Sequence, residues 1–109
     1  MATENLKDMR CMADVSLLVA DDAIALLAHI PDWQCTDNGK AIGQLFKFGN
    51  YHQTMAFVNA VAWIAHQQNH HPDMLVSYNS CAITFSTHSV GGLSLNDFIC
   101  AARINELTR

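Results

Sequence analysis

Six of the 109 residues are histidine, as many as lysine and arginine together. Imidazole is the side chain that titrates near neutrality, so such a chain is first a candidate for proton transfer or metal binding. Four of the six fall in the second half: His66, His70, His71 and His88. His70 and His71 are adjacent and directly precede Pro72. Neighbours on a helix point ~100° apart, but the break at a proline lets the second imidazole leave helical geometry, so the two can approach one ligand from different directions. A histidine at the C-terminal end of a helix meets partial negative charge, which favours imidazolium and suits a general acid. His66 and His70 also have the i, i+4 spacing of a metal-binding helix face, with His88 or Asp97 as the third ligand such a site needs. No glutamate follows the first of that pair, so the metalloprotease form is absent. The expectation is acid/base chemistry with no metal. His29 and His52 stand alone and read as bystanders.

The elements that must position these groups follow from spacing. A first helix is predicted over Ala20 to His29, with Asp21 and Asp22 in its first turn, an apolar face of Ile24, Leu27 and Ala28, and a stop at Pro31. Trp33 to Thr36 reads as a strand, with Trp33 a core aromatic, and Asp37-Asn38-Gly39 as a turn. Ala41 to Phe48 is the second strand, with Ile42, Gln44, Phe46 and Phe48 on one face and Leu45 on the other. Tyr51 to Asn69 is the strongest helix. Met55, Val58, Ala62, Ala65 and Gln68–Asn69 trace one side of it, and Phe57, Val61 and Ile64 the neighbouring side. Leu75 to Tyr78 reads as a third strand, Asn79-Ser80 as a turn and Ala82 to His88 as a fourth strand. In the fourth strand Ile83, Phe85 and Thr87 face one way, and Thr84, Ser86 and His88 the other. After a Gly91-Gly92 loop, Ser94-Leu95-Asn96-Asp97 resembles a capping box opening a last helix that runs to about Leu107, with Phe98, Ala101, Ala102 and Asn105 at helical spacing. The order α-β-β-α-β-β-α predicts a two-layer α+β domain, a four-stranded antiparallel sheet with three helices on one face. Residues 1–15 have weak periodicity. The expectation is a loosely ordered lead-in over 1–19 and one domain over 20–109.

Composition narrows the function classes. Half of the residues are hydrophobic and 15% are charged, which argues for a packed domain rather than disorder. Formal net charge is −4 with neutral histidines, and the six basic residues are scattered. Phosphate backbones need a basic cluster, so nucleic acid is not the expected partner. No apolar run approaches the ~18 residues of a membrane span, and the N-terminus shows no signal-peptide core, so no membrane is expected. Cys11, Cys35, Cys81 and Cys100 are far apart with no CxxC pair. They read as reduced, mostly buried thiols, and the expected location is cytoplasmic.

Several stretches together resemble the pterin-4a-carbinolamine dehydratase family, in its bacterial branch. They are Asn69-His70-His71-Pro72-Asp73, Tyr78-Asn79, Ser86-Thr87-His88 and Gly92-Leu93-Ser94 with Asp97. Ile30-Pro31-Asp32-Trp33, Ala56 to Val61 and Asn96 to Arg103 add to it, so the resemblance covers residues 20–107. It implies a four-stranded antiparallel sheet with three helices, assembled as a homodimer or homotetramer. It implies a hydro-lyase, a 4a-hydroxytetrahydrobiopterin dehydratase, that forms quinonoid dihydropterin and water and so recycles the pterin of aromatic amino acid hydroxylases. That links it functionally to phenylalanine hydroxylase. The family's catalytic histidines carry over onto His70, His71 and His88. Its pterin-contacting segments carry over onto Asn69 to His71 and onto Ser86, Thr87, His88 and Ser89, and its helix-start acid onto Asp97. Two positions depart from the pattern: His66 stands where the family often has Glu, and Asn69 where some members have Asp. Other members of the family act as coactivator-type binding modules or in molybdopterin metabolism, and both remain alternatives.

The residues suit that reaction on chemical grounds as well. Losing water from a carbinolamine requires a proton given to the 4a-hydroxyl and one removed from N5, with no cofactor, redox centre or metal. In this reading His70 and His88 are the acid/base partners, His71 orients the ring, and Asp97 either orients a histidine or only caps its own helix.

Overall fold

Two prolines and one left-handed asparagine mark where helices yield to strands. A computed structural model describes residues 5–108, and the parts of the expected lead-in at residues 1–4 lie outside them. The elements run α1 (Ala20–Leu27), β1 (Gln34–Thr36), β2 (Ala41–Lys47), α2 (Tyr51–Gln68), β3 (Asp73–Val76), β4 (Ser80–Phe85) and α3 (Leu95–Asn105), with short 3-10 turns between them. The strands form one antiparallel sheet in the order β1-β2-β4-β3. Its long central ladder pairs Ile42 with Phe85 through to Lys47 with Ser80. This is the expected α+β architecture.

One face of the sheet carries the core. Ile42 and Phe46 of β2 and Cys81, Ile83 and Phe85 of β4 are buried together with Phe57 and Val61 of α2 and Phe98, Ala101, Ala102 and Ile104 of α3. The period-2 reading of β2 and β4 holds, and Leu45 on the opposite face is 54% exposed. Trp33 is a core residue. Its indole N–H donates to Asn105 Oδ1 at 2.9 Å, and its ring meets Phe46 edge-on with centroids 6.0 Å apart.

Several boundaries and faces differ from expectation for local reasons. Helix α1 ends at Leu27, because His29 and Ile30 bond back to Leu26 and Leu27 in a tightened turn before Pro31. Its core-facing side is Ala23, Leu26 and Leu27, while Ile24 is exposed, so the true stripe is rotated by one residue. On α2 the buried row is Thr54, Phe57, Val61 and Ala65, and Ala62 faces out. Strand β3 starts directly after Pro72, two residues earlier than expected, because the hairpin turn spans Ser77 to Ser80 with Tyr78-Asn79 at its tip. There Ser77 N–H donates to Ser80 O at 2.9 Å. Strand β4 correspondingly begins at Ser80 and ends at Phe85, before Thr87 and His88. Helix α3 ends at Asn105 and gives way to a 3-10 turn over Glu106–Thr108.

The cysteines correct another expectation. All four are free thiols, but Cys35 is exposed on the edge strand β1, and Cys11 and Cys100 are neighbours in space. The cause is the chain before α1. A 3-10 turn at Leu6–Asp8 packs on α3, Arg103 donates to Met9 O, and Leu18 N–H donates to Leu93 O.

Helix α3 is nearly surrounded, so its large side chains carry much of the stability. Phe98 is 0% exposed. Phe98→Ala should destabilise the fold by ~3–5 kcal/mol, read as a lower denaturant midpoint at unchanged slope. A loss below 1 kcal/mol would show that the core does not depend on this ring.

Candidate active site

The candidate site forms where three chain breaks meet. The first is the end of α2. Asn69 adopts the left-handed conformation (φ 51°, ψ 42°), and its N–H bonds back to Ala65 and His66. That is a C-cap role asparagine tolerates better than most residues. His70 and His71 therefore both lie beyond the helix, and the i, i+4 relation of His66 to His70 on one helical face does not hold. The ring of His66 instead sits 5.5 Å from that of exposed Trp63. The second break follows β4. Thr87 and Gly92 pair across a small loop, with Thr87 N–H donating to Gly92 O at 2.8 Å. The 3-10 turn His88–Val90 projects from that closure, and Gly91 (φ 75°) supplies the left-handed residue that ends it. The third is the start of α3, where Ser94 and Asp97 form a reciprocal capping box.

Asp97 ties the three together. It is 0% exposed. Its Oδ1 lies 2.6 Å from His70 Nε2, and its Oδ2 accepts from Thr87 Oγ1 at 2.8 Å and from Ser94 N–H at 2.9 Å. The Ser94 hydroxyl lies 2.7 Å from Thr87 Oγ1 and accepts from Asn96 N–H. The carboxylate thus caps its own helix and orients a histidine at once. The His70 ring also stacks on Phe85, nearly parallel at 9° and 5.6 Å between centroids. Only 11% of the His70 side chain is exposed. Burial works against a charged imidazole, but the hydrogen bond and negative charge of Asp97 outweigh it, so the His70 pKa is raised above 6.5.

The candidate residues divide by exposure. Thr87 and Asp97 are buried and serve as supports beneath the site. Asn69, His71, His88 and Ser89 are exposed, and Ser86 is half-buried. Since Asp97 bridges His70 to Thr87, it draws the segments 69–71 and 86–89 to one place. His29 and His52 are exposed and take no part in this network. Spacing alone did not single out Phe85 as the platform under His70 or Ser94 as a partner of Thr87. The alternation in β4 that puts Phe85 and Thr87 on one buried face was the available signal. A shallow cavity of about 580 Å³ on the open sheet face, lined by residues such as Gln34, Gly43, Leu45 and Thr84, contains none of the candidate residues. Among the described residues no group of three or more potential ligands is placed to hold a metal ion.

The family model described as Pterin 4 alpha carbinolamine dehydratase matches residues 16–107. The chain belongs to that family. A relative from Nitrosomonas eutropha is 52% identical over 98 residues, covering 89% of this chain and 85% of the relative. One from Nitrosospira multiformis is 47% identical over 107 residues, covering 98% of this chain and 91% of the relative. Each is named "Putative pterin-4-alpha-carbinolamine dehydratase". Among solved structures, a transcriptional coactivator/pterin dehydratase from Brucella melitensis superposes with a TM-score of 0.81 at 28% identity, covering 84% of this chain and 98% of that one. A pterin dehydratase-like protein, a RuBisCO assembly factor in the alpha-carboxysome, has a TM-score of 0.61 at 26% identity over 70% of this chain and 88% of that one. The histidine pair, the hairpin and the capped helix start therefore stand in a fold shared with both dehydratases and assembly proteins. Among the described residues no helix is long and apolar enough to cross a membrane.

The raised His70 pKa has a signed consequence for pH. The stabilisation from the His70–Asp97 pair is complete below the unfolded value near 6.5 and is lost as pH rises through the raised folded value. Asp97→Asn should bring the His70 titration, followed by the imidazole proton resonances, down from its raised position, and should flatten stability across that window. An unmoved His70 titration in the variant would contradict the assignment of Asp97 as the cause.

Proposed function

We propose that the protein dehydrates a 4a-hydroxytetrahydropterin to quinonoid dihydropterin and water by histidine acid/base catalysis. The observation that supports this most is the buried Asp97 carboxylate, bonded both to His70, which precedes the exposed His71, and to Thr87, which precedes the exposed His88. When charged, His70 carries a proton on each ring nitrogen. Nε2–H stays with Asp97, and Nδ1–H is free to meet the 4a-hydroxyl as the C4a–O bond breaks. His88, on the exposed turn after β4, takes the N5 proton. His71 holds the pterin ring, and Asn69, Ser86 and Ser89 supply polar contacts at the rim. Thr87 and Asp97 act from below by fixing the ring of His70. Because Asp97 raises the pKa of His70 above that of a free imidazole, the protonated form that a general acid needs is favoured.

The reading extends to partners and setting. The substrate is a small pterin, and no cofactor is needed for loss of water. Pterin recycling alongside phenylalanine hydroxylase in the cytoplasm is the setting this activity would serve. A homodimer or homotetramer is supported by large apolar side chains left uncovered, among them Trp63 at 60%, Leu75 at 76% and Tyr78 at 64% exposure. Those same side chains favour a second reading, a protein-binding role like those named for the Brucella and carboxysomal neighbours.

Stopped-flow measurement of carbinolamine dehydration tests the first reading. The purified protein should accelerate the reaction well beyond buffer. A His70→Ala, His88→Ala double variant should fall to near the uncatalysed rate, each group contributing ~10²–10⁴-fold, with the far-UV spectrum unchanged. No acceleration by the unaltered chain would overturn the enzymatic reading in favour of the binding role. Full activity in the double variant would overturn the histidine assignment.

A further inference from the structure

Two thiols that dehydration does not use lie side by side against the helix that carries Asp97. Cys11 Sγ and Cys100 Sγ are 3.5 Å apart although 89 positions separate them in sequence. The contact is held by a set of bonds around Cys11. The Met9 carbonyl accepts from the Arg103 guanidinium, and Cys11 N–H donates to Gln68 Oε1 at 2.8 Å. Met12 and Asn96 exchange two bonds: Met12 N–H donates to Asn96 Oδ1 at 3.0 Å, and Asn96 Nδ2 donates to Met12 O at 2.7 Å. The anchors come from the end of α2 and from α3, so the segment is docked at positions before, at and after Cys11.

The two sulfurs differ in access and in chemistry. Cys100 is 0% exposed, whereas Cys11 is only half-buried. A small oxidant from solvent therefore reaches Cys11 first. The hydrogen bond from Cys100 draws the Cys11 thiol below its ordinary pKa, with help from the positive charge of His70 and Arg103 and against burial and the negative charge of Asp97. The same hydrogen bond and burial hold Cys100 in the protonated form. One sulfur is thus the accessible nucleophile, and the other is a protonated partner within reach of it.

We propose that Cys11 and Cys100 form a hydroperoxide-responsive dithiol site, Cys11 being oxidised first and Cys100 closing an intramolecular disulfide. In the first step the Cys11 thiolate attacks the peroxide. An S–O bond forms, the O–O bond breaks, and the leaving oxygen departs as water or an alcohol after taking up a proton. Cys11 is then a sulfenic acid. In the second step Cys100, no longer held protonated by a Cys11 thiolate, gives up its proton as its sulfur attacks Cys11 sulfur. The S–S bond forms, the S–O bond breaks, and the oxygen leaves as water with the Cys100 proton. Two thiols and one hydroperoxide give one disulfide, one alcohol or water, and one further water. Closing the sulfurs from 3.5 Å to the ~2 Å of a disulfide requires a small movement, and Cys11 lies outside the helices and strands, so no regular element has to break for it. The product clips the N-terminal segment covalently to α3.

Peptide mapping of the peroxide-treated chain tests the site. Trypsin together with a protease that cuts before aspartate places the four cysteines on separate peptides, Cys11 on 11–13 and Cys100 on 97–103. After treatment with equimolar hydrogen peroxide and alkylation, the expected product is a cross-link between these two peptides in a chain that does not enlarge on a non-reducing gel. Cys35 and Cys81 should remain alkylated. Cys11→Ser should abolish oxidation of Cys100, and Cys100→Ala should leave Cys11 as a sulfenic acid trapped by a dimedone-type reagent. Should Cys100→Ala fail to fold, the map of the unaltered chain decides alone. Oxidation of the more exposed Cys35 ahead of Cys11, over-oxidation of Cys11 with Cys100 still a free thiol, or cross-links only between chains would each overturn the proposal.

Discussion

A carboxylate sealed from water must have its hydrogen bonds supplied by the protein, because an unpaired buried charge costs several kcal/mol. Asp97 meets that demand by drawing on three places in the chain: the residue after the α2 cap, the closing pair of the loop after β4, and the first turn of its own helix. Removing any one partner leaves a charged oxygen short of a bond in the interior. The requirement therefore holds the segment 69–71, the turn at 88–90 and the start of α3 in one arrangement. The same bonds that cap a helix hold the imidazole of His70 in place, so local stability and the geometry of the candidate site rest on one residue.

The surroundings sort into support and access. Phe85 lies flat beneath His70, Thr87 links the loop to the carboxylate, and Ser94 closes the capping box. All three are buried. Above them His71 and His88 are open to solvent. A pterin meeting this rim would encounter one histidine with a defined ring orientation and a raised pKa and two exposed ones. In the proposed reaction such a division would hold the proton donor in a fixed orientation by buried contacts. The N-terminal segment adds a further layer, since Gln68, Asn96 and Arg103 hold it against the same end of α2 and the same face of α3.

Alternation and capping made much of this architecture readable from the chain. Ile83, Phe85 and Thr87 share a face because side chains alternate along any strand, and that face proved to be the buried one. Ser94 and Asp97 announced a helix start because their spacing matches the two bonds of a capping box. The misses were of register. Helix α1 buries Ala23 and packs Leu26 against the core while Ile24 stays exposed, because one residue of rotation changes which apolar side chain meets the core. Strand β3 begins at Asp73, because the turn is chosen by pairing with β4 and not by the residues of the turn alone. His66 and His70 looked like one helical face, but Asn69 takes a left-handed conformation between them.

Local chemistry determined the element types, the resemblance to a family, the histidines that stand near one another in sequence, and a double reading of Asp97 as cap or orienter. Only the tertiary structure decided that Asp97 is both, that Phe85 lies under His70, and that Cys11 sits against Cys100. These are contacts between residues 15 to 89 positions apart. Spacing rules act over one or two turns of helix or a few residues of strand. Contacts at longer separation depend on how the helices seat on the sheet and where the chain is pinned, and that is settled by the burial and bonding of the whole molecule at once.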